Sequence, residues 1–165
     1  MSLLDGLQQV KTLQKLKIHN CIDLMAIPEW IGNLTSLHHL EIFGCFNLTS
    51  LPREIFHLTS LQILKIENCP NLMILRGLMD NLALPQALII TEFLNLISLP
   101  QGICSLTSLK SLTVDNCPNL MALPEWIGNL TSLEEFIIRK CLNLTSLPQG
   151  IHCNTSVVNC NLEEA

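Results

Sequence analysis

Eight cysteines and five histidines are the residues of this 165-residue chain best suited to metal or redox chemistry. His152, Cys153 and Cys160 cluster in sequence, with Cys141 a conceivable fourth ligand, but no C-x-x-C pair or standard zinc spacing accompanies them. His38 and His39 occupy a strand-like segment, where successive side chains diverge, so they cannot chelate one ion together. Carboxylates occur as the neighbours Glu134-Glu135 and Glu163-Glu164, which read as solvated faces. No nucleophile elbow, phosphate loop or paired acid–base motif is present. The expectation is therefore a non-enzymatic chain with no metal and no cofactor.

The cysteines carry a different message. Cys21, Cys45, Cys69, Cys117 and Cys141 recur at an interval of two dozen positions or its double. A disulfide framework rarely has such a period, so the column reads as reduced, buried thiols of a cytoplasmic protein, each packed where a strand ends. Adjacent members would stand one strand spacing apart, which suits a disulfide in distance but not in side-chain direction. Asn33, Asn47, Asn129, Asn143 and Asn154 begin N-x-[ST] triplets. These would be glycosylated in a secreted chain, but Met1–Val10 lacks the features of a secretory signal, so they are expected to be unused. The apolar window 81–100 contains Pro85, Glu92 and Pro100 and does not read as a membrane span.

What positions the thiols is an internal repeat. From Leu13 the chain divides into blocks of equal length beginning at Leu13, Leu37, Leu61, Pro85, Leu109 and Leu133, with a seventh starting at Val157. The shared pattern is L-x-x-L-x-I-x-x-C-x-N-L-x-x-L-P-x-x-I-x-x-L-T-S. Eight positions per block read as internal; of these 48, only Pro85 and Asn154 are not plainly apolar and none is charged. The first six residues alternate as a strand. The Asn column (Asn47, Asn71, Asn95, Asn119, Asn143, with Asp23 first) suits a turn, by bonding nearby backbone or by accepting a left-handed conformation. Leu-Pro then favours an extended path, and I-x-x-L is one turn of irregular or 3₁₀ helix. Trp30 and Trp126 share one repeat position and are expected on the convex side. A single block cannot bury its own apolar edge, so blocks must stack.

Block three departs from the pattern at Arg76 and continues Gly77-Leu78-Met79-Asp80-Asn81, while block four opens with Pro85 and places Phe93 in the cysteine column. Two readings stand, a bend or partner-specific surface and simple drift in a convex segment, with drift preferred.

The pattern resembles the plant cytoplasmic type of leucine-rich repeat. Leu-Pro-Glu-Trp-Ile-Gly-Asn-Leu-Thr-Ser-Leu and Cys-Pro-Asn-Leu are similar to the repeat region of plant nucleotide-binding leucine-rich-repeat disease-resistance proteins. The resemblance implies an α/β-type leucine-rich-repeat solenoid, a short curved arc with about seven parallel strands on its concave side. It divides the chain into an N-terminal half repeat (1–12, with Leu3, Leu7 and Val10 on core positions), six repeats (13–156) and a truncated seventh (157–165). It also implies recognition of another protein in plant intracellular immunity, by sensing an effector or restraining a signalling partner. A nucleotide-binding loop is absent from these residues.

The surface that would serve is the strand face. Five non-core positions per block precede the cysteine column, and these 30 positions hold 12 charged residues against seven in the other 66. The candidate protein-binding residues are His38, His39, Glu41, Phe43, Ile63, Lys65, Glu67, Ile89, Glu92, Asp115, Glu134, Glu135, Ile137, Arg139 and Lys140. Mixed signs and a net charge of −5 argue against a nucleic-acid track. Apolar residues beside charges suit a protein partner. The competing reading is a solvated sheet face on a scaffold or excised module that self-associates through an open C-terminal edge.

Overall fold

In a computed structural model, described for residues 5–72, 85–148 and 157–161, seven five-residue strands form one parallel sheet in sequence order. They are β1 (Lys15–His19), β2 (His39–Phe43), β3 (Ile63–Glu67), β4 (Ala87–Thr91), β5 (Ser111–Asp115), β6 (Glu135–Arg139) and β7 (Val157–Asn161). Strands β1–β6 alternate, their second and fourth residues buried and the others turned out. The return path of four described coils carries a 3₁₀ turn, at Glu29–Asn33, Arg53–His57, Gln101–Ser105 and Glu125–Asn129. Pro28, Pro52, Pro100 and Pro124 stand immediately before these turns in extended conformation, so a Leu-Pro pair, or Ile27-Pro28 in the first coil, delivers the chain into each one. No α-helix occurs among the described residues, and no helix there is long and apolar enough to cross a membrane.

The core is one continuous file of leucine, isoleucine and cysteine running between the sheet and the 3₁₀ turns. Buried polar or charged residues are absent among the described residues, so each coil depends on its neighbours for dryness. Phe93 is buried in the cysteine column and fills the place of a thiol without disturbing the register of β4. Coils approach closely on the return side, where a Cβ on Gly32 would lie 2.6 Å from the Glu54 carbonyl oxygen. The cysteine thiols donate weakly to the carbonyl two residues earlier, Cys69 to Glu67 at 3.4 Å and Cys141 to Arg139 at 3.4 Å.

Several sequence expectations change. From β1 to β6 each strand residue pairs with its counterpart one full repeat later, as Leu16 does with Leu40 and Leu112 with Phe136. Between β6 and β7 the partners come two positions sooner, with Phe136 opposite Val158 and Ile138 opposite Cys160. The sixth coil thus falls short of the uniform period. A shift by an even number preserves alternation and brings the β-branched pair Val157-Val158 into the strand.

The Asn column does not take the left-handed conformation. Positive φ falls three residues earlier, at Asn20, Gly44, Asn68, Glu92, Asn116 and Lys140, where the chain leaves each strand. The Asn side chains instead reach back one coil, Asn47 Nδ2 donating to the Ile22 carbonyl at 2.8 Å, Asn71 to Phe46 at 2.8 Å and Asn119 to Leu94 at 2.7 Å.

Towards the N-terminal end Leu7 packs on the core, but Val10 is exposed, and Cys21 is only half-buried. Leu3, the irregular stretch 76–81, His152, Cys153, Asn154 and Glu163-Glu164 lie outside the described residues.

Burial raises the Cys45 thiol and pushes the Cys69 thiol up to about 11. Cys117 is raised by its hydrogen bond with the Cys141 thiol and then by burial. The same hydrogen bond lowers the Cys141 thiol against the effect of burial, but Cys141, like Cys45, Cys69 and Cys117, is closed to solvent, so access limits reaction throughout the column. Among the described cysteines, Cys21 and Cys104 are expected to alkylate first in native protein, and Cys45, Cys69, Cys117 and Cys141 only after denaturation. Timed iodoacetamide labelling with peptide mass mapping checks this order.

Candidate recognition surface

The outward residues of the strands form three straight columns because the pairing register never slips between β1 and β6. The first column reads Lys15, His39, Ile63, Ala87, Ser111, Glu135; the second Lys17, Glu41, Lys65, Ile89, Thr113, Ile137; the third His19, Phe43, Glu67, Thr91, Asp115, Arg139. Eleven of the fifteen sequence candidates fall in these columns. His38 and Glu134 stand one residue before β2 and β6, and Glu92 and Lys140 one residue after β4 and β6. His38 borders a separate open groove of about 360 Å³ with Gln62, Pro85 and Gln86.

Charge is organised rather than scattered. Glu41 sits between Lys17 and Lys65 on adjacent strands, with Lys17 Nζ 2.8 Å from Oε2 and Lys65 Nζ 3.8 Å from Oε1. His19 and His39 approach the same carboxylate at 3.5 and 3.6 Å. Hydrogen bonding from Lys17 holds the Glu41 carboxyl below its ordinary value, against the opposing effect of burial. Lys65 is raised chiefly by Glu67, 2.6 Å away. His19 packs edge-on to Phe43 with ring centres 5.7 Å apart. This end of the face is a tight ionic lattice.

Along β4 and β5 the columns carry no charge before Asp115, leaving a strip of Ala87, Ile89, Thr91, Ser111 and Thr113 that continues to Ile137 on β6. Asp115 Oδ1, at the margin of this strip, is buried with no hydrogen-bond partner, and so is His39 Nε2. Beyond lie exposed Glu134, Glu135 and Arg139, with Lys110 Nζ 3.2 Å from Glu134 and Ser111 Oγ donating to Glu135 at 2.8 Å. Glu92 and Lys140 hold the left-handed conformation that Asn or Gly takes in the other coils, a costlier choice that sets a charge at the strand exit.

No group of His, Cys, Asp and Glu able to hold a metal is found among the described residues.

A second surface was not anticipated. The residues just past the cysteine column and three positions on, Ile22, Met25, Phe46, Leu94, Ile97, Met121 and Leu142, are exposed along one flank. Their signal was visible in the sequence as apolar residues in a column assigned to no core.

Comparison with known proteins agrees with this architecture. A family model of R13L1/DRL21 leucine-rich repeats matches residues 1–69. The leucine-rich repeat domain of the type III effector XopL is 28% identical, with a TM-score of 0.75 over 96% of this chain and 56% of that one. This chain thus spans little more than half the length of that domain. A leucine-rich repeat protein of Leptospira interrogans is 19% identical, with a TM-score of 0.39 over 89% of this chain and 51% of that one. An internalin of Listeria monocytogenes is 18% identical, with a TM-score of 0.29 over 89% and 57%. No curated protein matches the sequence. From its repeated pattern, its stacked parallel coils and the R13L1/DRL21 and XopL matches, the chain has the leucine-rich-repeat fold.

Proposed function

We propose that the chain is a recognition module that binds a protein partner across the concave strand face. Leucine-rich repeats are protein-interaction scaffolds, and the observation that carries the reading to this face is the uncharged strip from Ala87 to Ile137, set between the ion pairs of Glu41 and the exposed charges of β6. Ile89 and Ile137 supply apolar anchors, and Glu134, Glu135, Arg139 and Lys140 supply a charged rim. The partner is neither nucleic acid nor membrane, because the face carries both signs in pairs and has no basic track.

The biological setting we infer is plant intracellular immunity, in the cytoplasm, sensing an effector or restraining a signalling partner. The repeat resemblance and the R13L1/DRL21 match over residues 1–69 support that setting, and the reduced thiol column suits it.

The test is a quadruple reversal: Glu134→Lys, Glu135→Lys, Arg139→Glu and Lys140→Glu. A partner captured by wild type and reconstituted from purified components should bind the variant at least about a hundredfold more weakly, since unlike pairs become like ones. Unchanged circular dichroism excludes unfolding as the cause. Binding that survives the reversal overturns the reading and favours a scaffold using its C-terminal edge.

A further inference from the structure

We propose that Cys21 and Cys45 are a peroxide-sensitive pair, joining as a reversible disulfide that staples the first two coils where β1 and β2 end. The thiol column holds several neighbouring pairs, and direction, backbone and access together single out this one.

Cysteines one repeat apart stand side by side on parallel coils, and strictly parallel side chains would keep their sulfurs apart. Cys45 departs from that. Its Sγ turns across the gap, 3.7 Å from the Ile18 carbonyl oxygen of the coil before and 3.6 Å from that of Phe43 in its own coil. Cys21 Sγ lies 3.5 Å from the next carbonyl of β1, that of His19, and the two thiols are in hydrogen-bond contact. The backbone draws the same two coils together. The Asn20 N–H donates to the Phe43 carbonyl at 2.8 Å, clamping the strand exits immediately ahead of the cysteines. Gly44, just before Cys45, is the one glycine among the described residues of the left-handed column, and a Cβ there would clash with Asn20 Oδ1. The coils thus approach more closely than a side chain would allow, and glycine leaves Cys45 free to swing toward Cys21. Access decides which sulfur reacts first. Cys21 is half-buried, whereas Cys45, Cys69, Cys117 and Cys141 are closed to solvent.

The chemistry balances with hydrogen peroxide as oxidant. The Cys21 thiolate attacks one peroxide oxygen, the O–O bond breaks, and the leaving hydroxide takes up the proton that Cys21 released. Cys21 is then a sulfenic acid. The Cys45 sulfur attacks the Cys21 sulfur, the S–O bond breaks, and the departing hydroxide leaves as water with the Cys45 proton. Two thiols have lost two electrons to give one disulfide, and one peroxide has become two waters. Burial raises the Cys45 thiol and slows this second step, but the neighbouring coil holds it in place without recourse to solvent. The new bond closes a loop one repeat long, which restrains unfolding of the first two coils. Cys117 and Cys141 repeat the sulfur geometry with the access removed. Cys141 Sγ lies 3.9 Å from the Val114 carbonyl and 3.4 Å from that of Arg139, yet both thiols are closed to solvent and Asn116 and Lys140 fill the left-handed positions. That pair should stay reduced under conditions that join Cys21 to Cys45.

The folded wild-type chain, treated with hydrogen peroxide, alkylated and mapped without reduction by peptide mass spectrometry, should show a Cys21–Cys45 linkage and the loss of two hydrogens. Its Tm should rise by about 5–15 °C and return to the starting value with dithiothreitol. Cys45→Ala should arrest Cys21 as the sulfenic acid, trapped by dimedone, and Cys21→Ser should leave Cys45 unoxidised. Circular dichroism checks that both variants remain folded, and the wild-type linkage map stands without them. No linkage between Cys21 and Cys45, a Cys117–Cys141 linkage that forms as fast, or an oxidised chain whose Tm does not rise overturns the proposal.

Discussion

Phe136→Ala is expected to destabilise the chain by about 3–5 kcal/mol, the range for emptying a fully buried aromatic site. At this length that lowers Tm by roughly 6–20 °C. Phe136 is completely buried and occupies the column filled by Leu16, Leu40, Leu64, Leu88 and Leu112 on the preceding strands. It is the largest side chain in that file, and the last coil behind it is the short one, whose β7 pairs with β6 ahead of the regular period. An alanine would leave a void between the Leu112 layer and the β7 backbone. Because each coil touches only its neighbours, the loss should be local first. Hydrogen exchange should rise in β6 and β7 well before β1–β3, and thermal melting should report the total. Phe136→Leu restores the residue of the other coils and should cost less than about 1.5 kcal/mol. Equal protection loss across all seven strands would contradict the coil-by-coil account.

Much of this fold was legible because one constraint is written many times. Apolar residues at fixed intervals specified both the strand alternation and the return turn, and repetition averaged out single departures such as Phe93 in the cysteine column. Where repetition stopped, legibility stopped as well. The last coil departs from the count, with β7 paired two positions ahead of the period. The Asn column illustrates a subtler limit. Asn suits a left-handed turn and a backbone hydrogen bond equally, and nothing local says that Asn47 reaches the Ile22 carbonyl on the previous coil. Glu92 and Lys140 hid the true left-handed column, because neither residue is an ordinary choice for it.

The surface divided in the same way. Strand alternation placed eleven candidates on the face, but could not show that Glu41 gathers four cationic or protonatable groups while Asp115 Oδ1 is left unpaired. Those facts depend on which side chains meet across coils. The flank escaped notice for the opposite reason. Attention to charged positions passes over a column whose distinguishing feature is the lack of charge.

Glu41 is where the face and the fold meet, and Glu41→Ala should cost about 1–3 kcal/mol, the range for a hydrogen bond to a charged group lost from a mostly buried site. Its side chain is only 12% exposed, yet Lys17, His19, His39 and Lys65 all converge on it. Alanine would leave two lysines facing each other across a vacant strand position, with one of them, Lys65, still tied to Glu67. The loss should depend on pH in a defined sense. Lys17 holds the folded carboxyl below its ordinary 4.5, so the carboxylate contributes fully above 4.5 and is neutralised as pH falls through the lowered value. Wild type and Glu41→Gln should therefore differ in Tm at neutral pH and converge in strong acid. A gap that persists unchanged at pH values far below 4.5 would mean that packing, not charge, makes this residue the centre of the lattice.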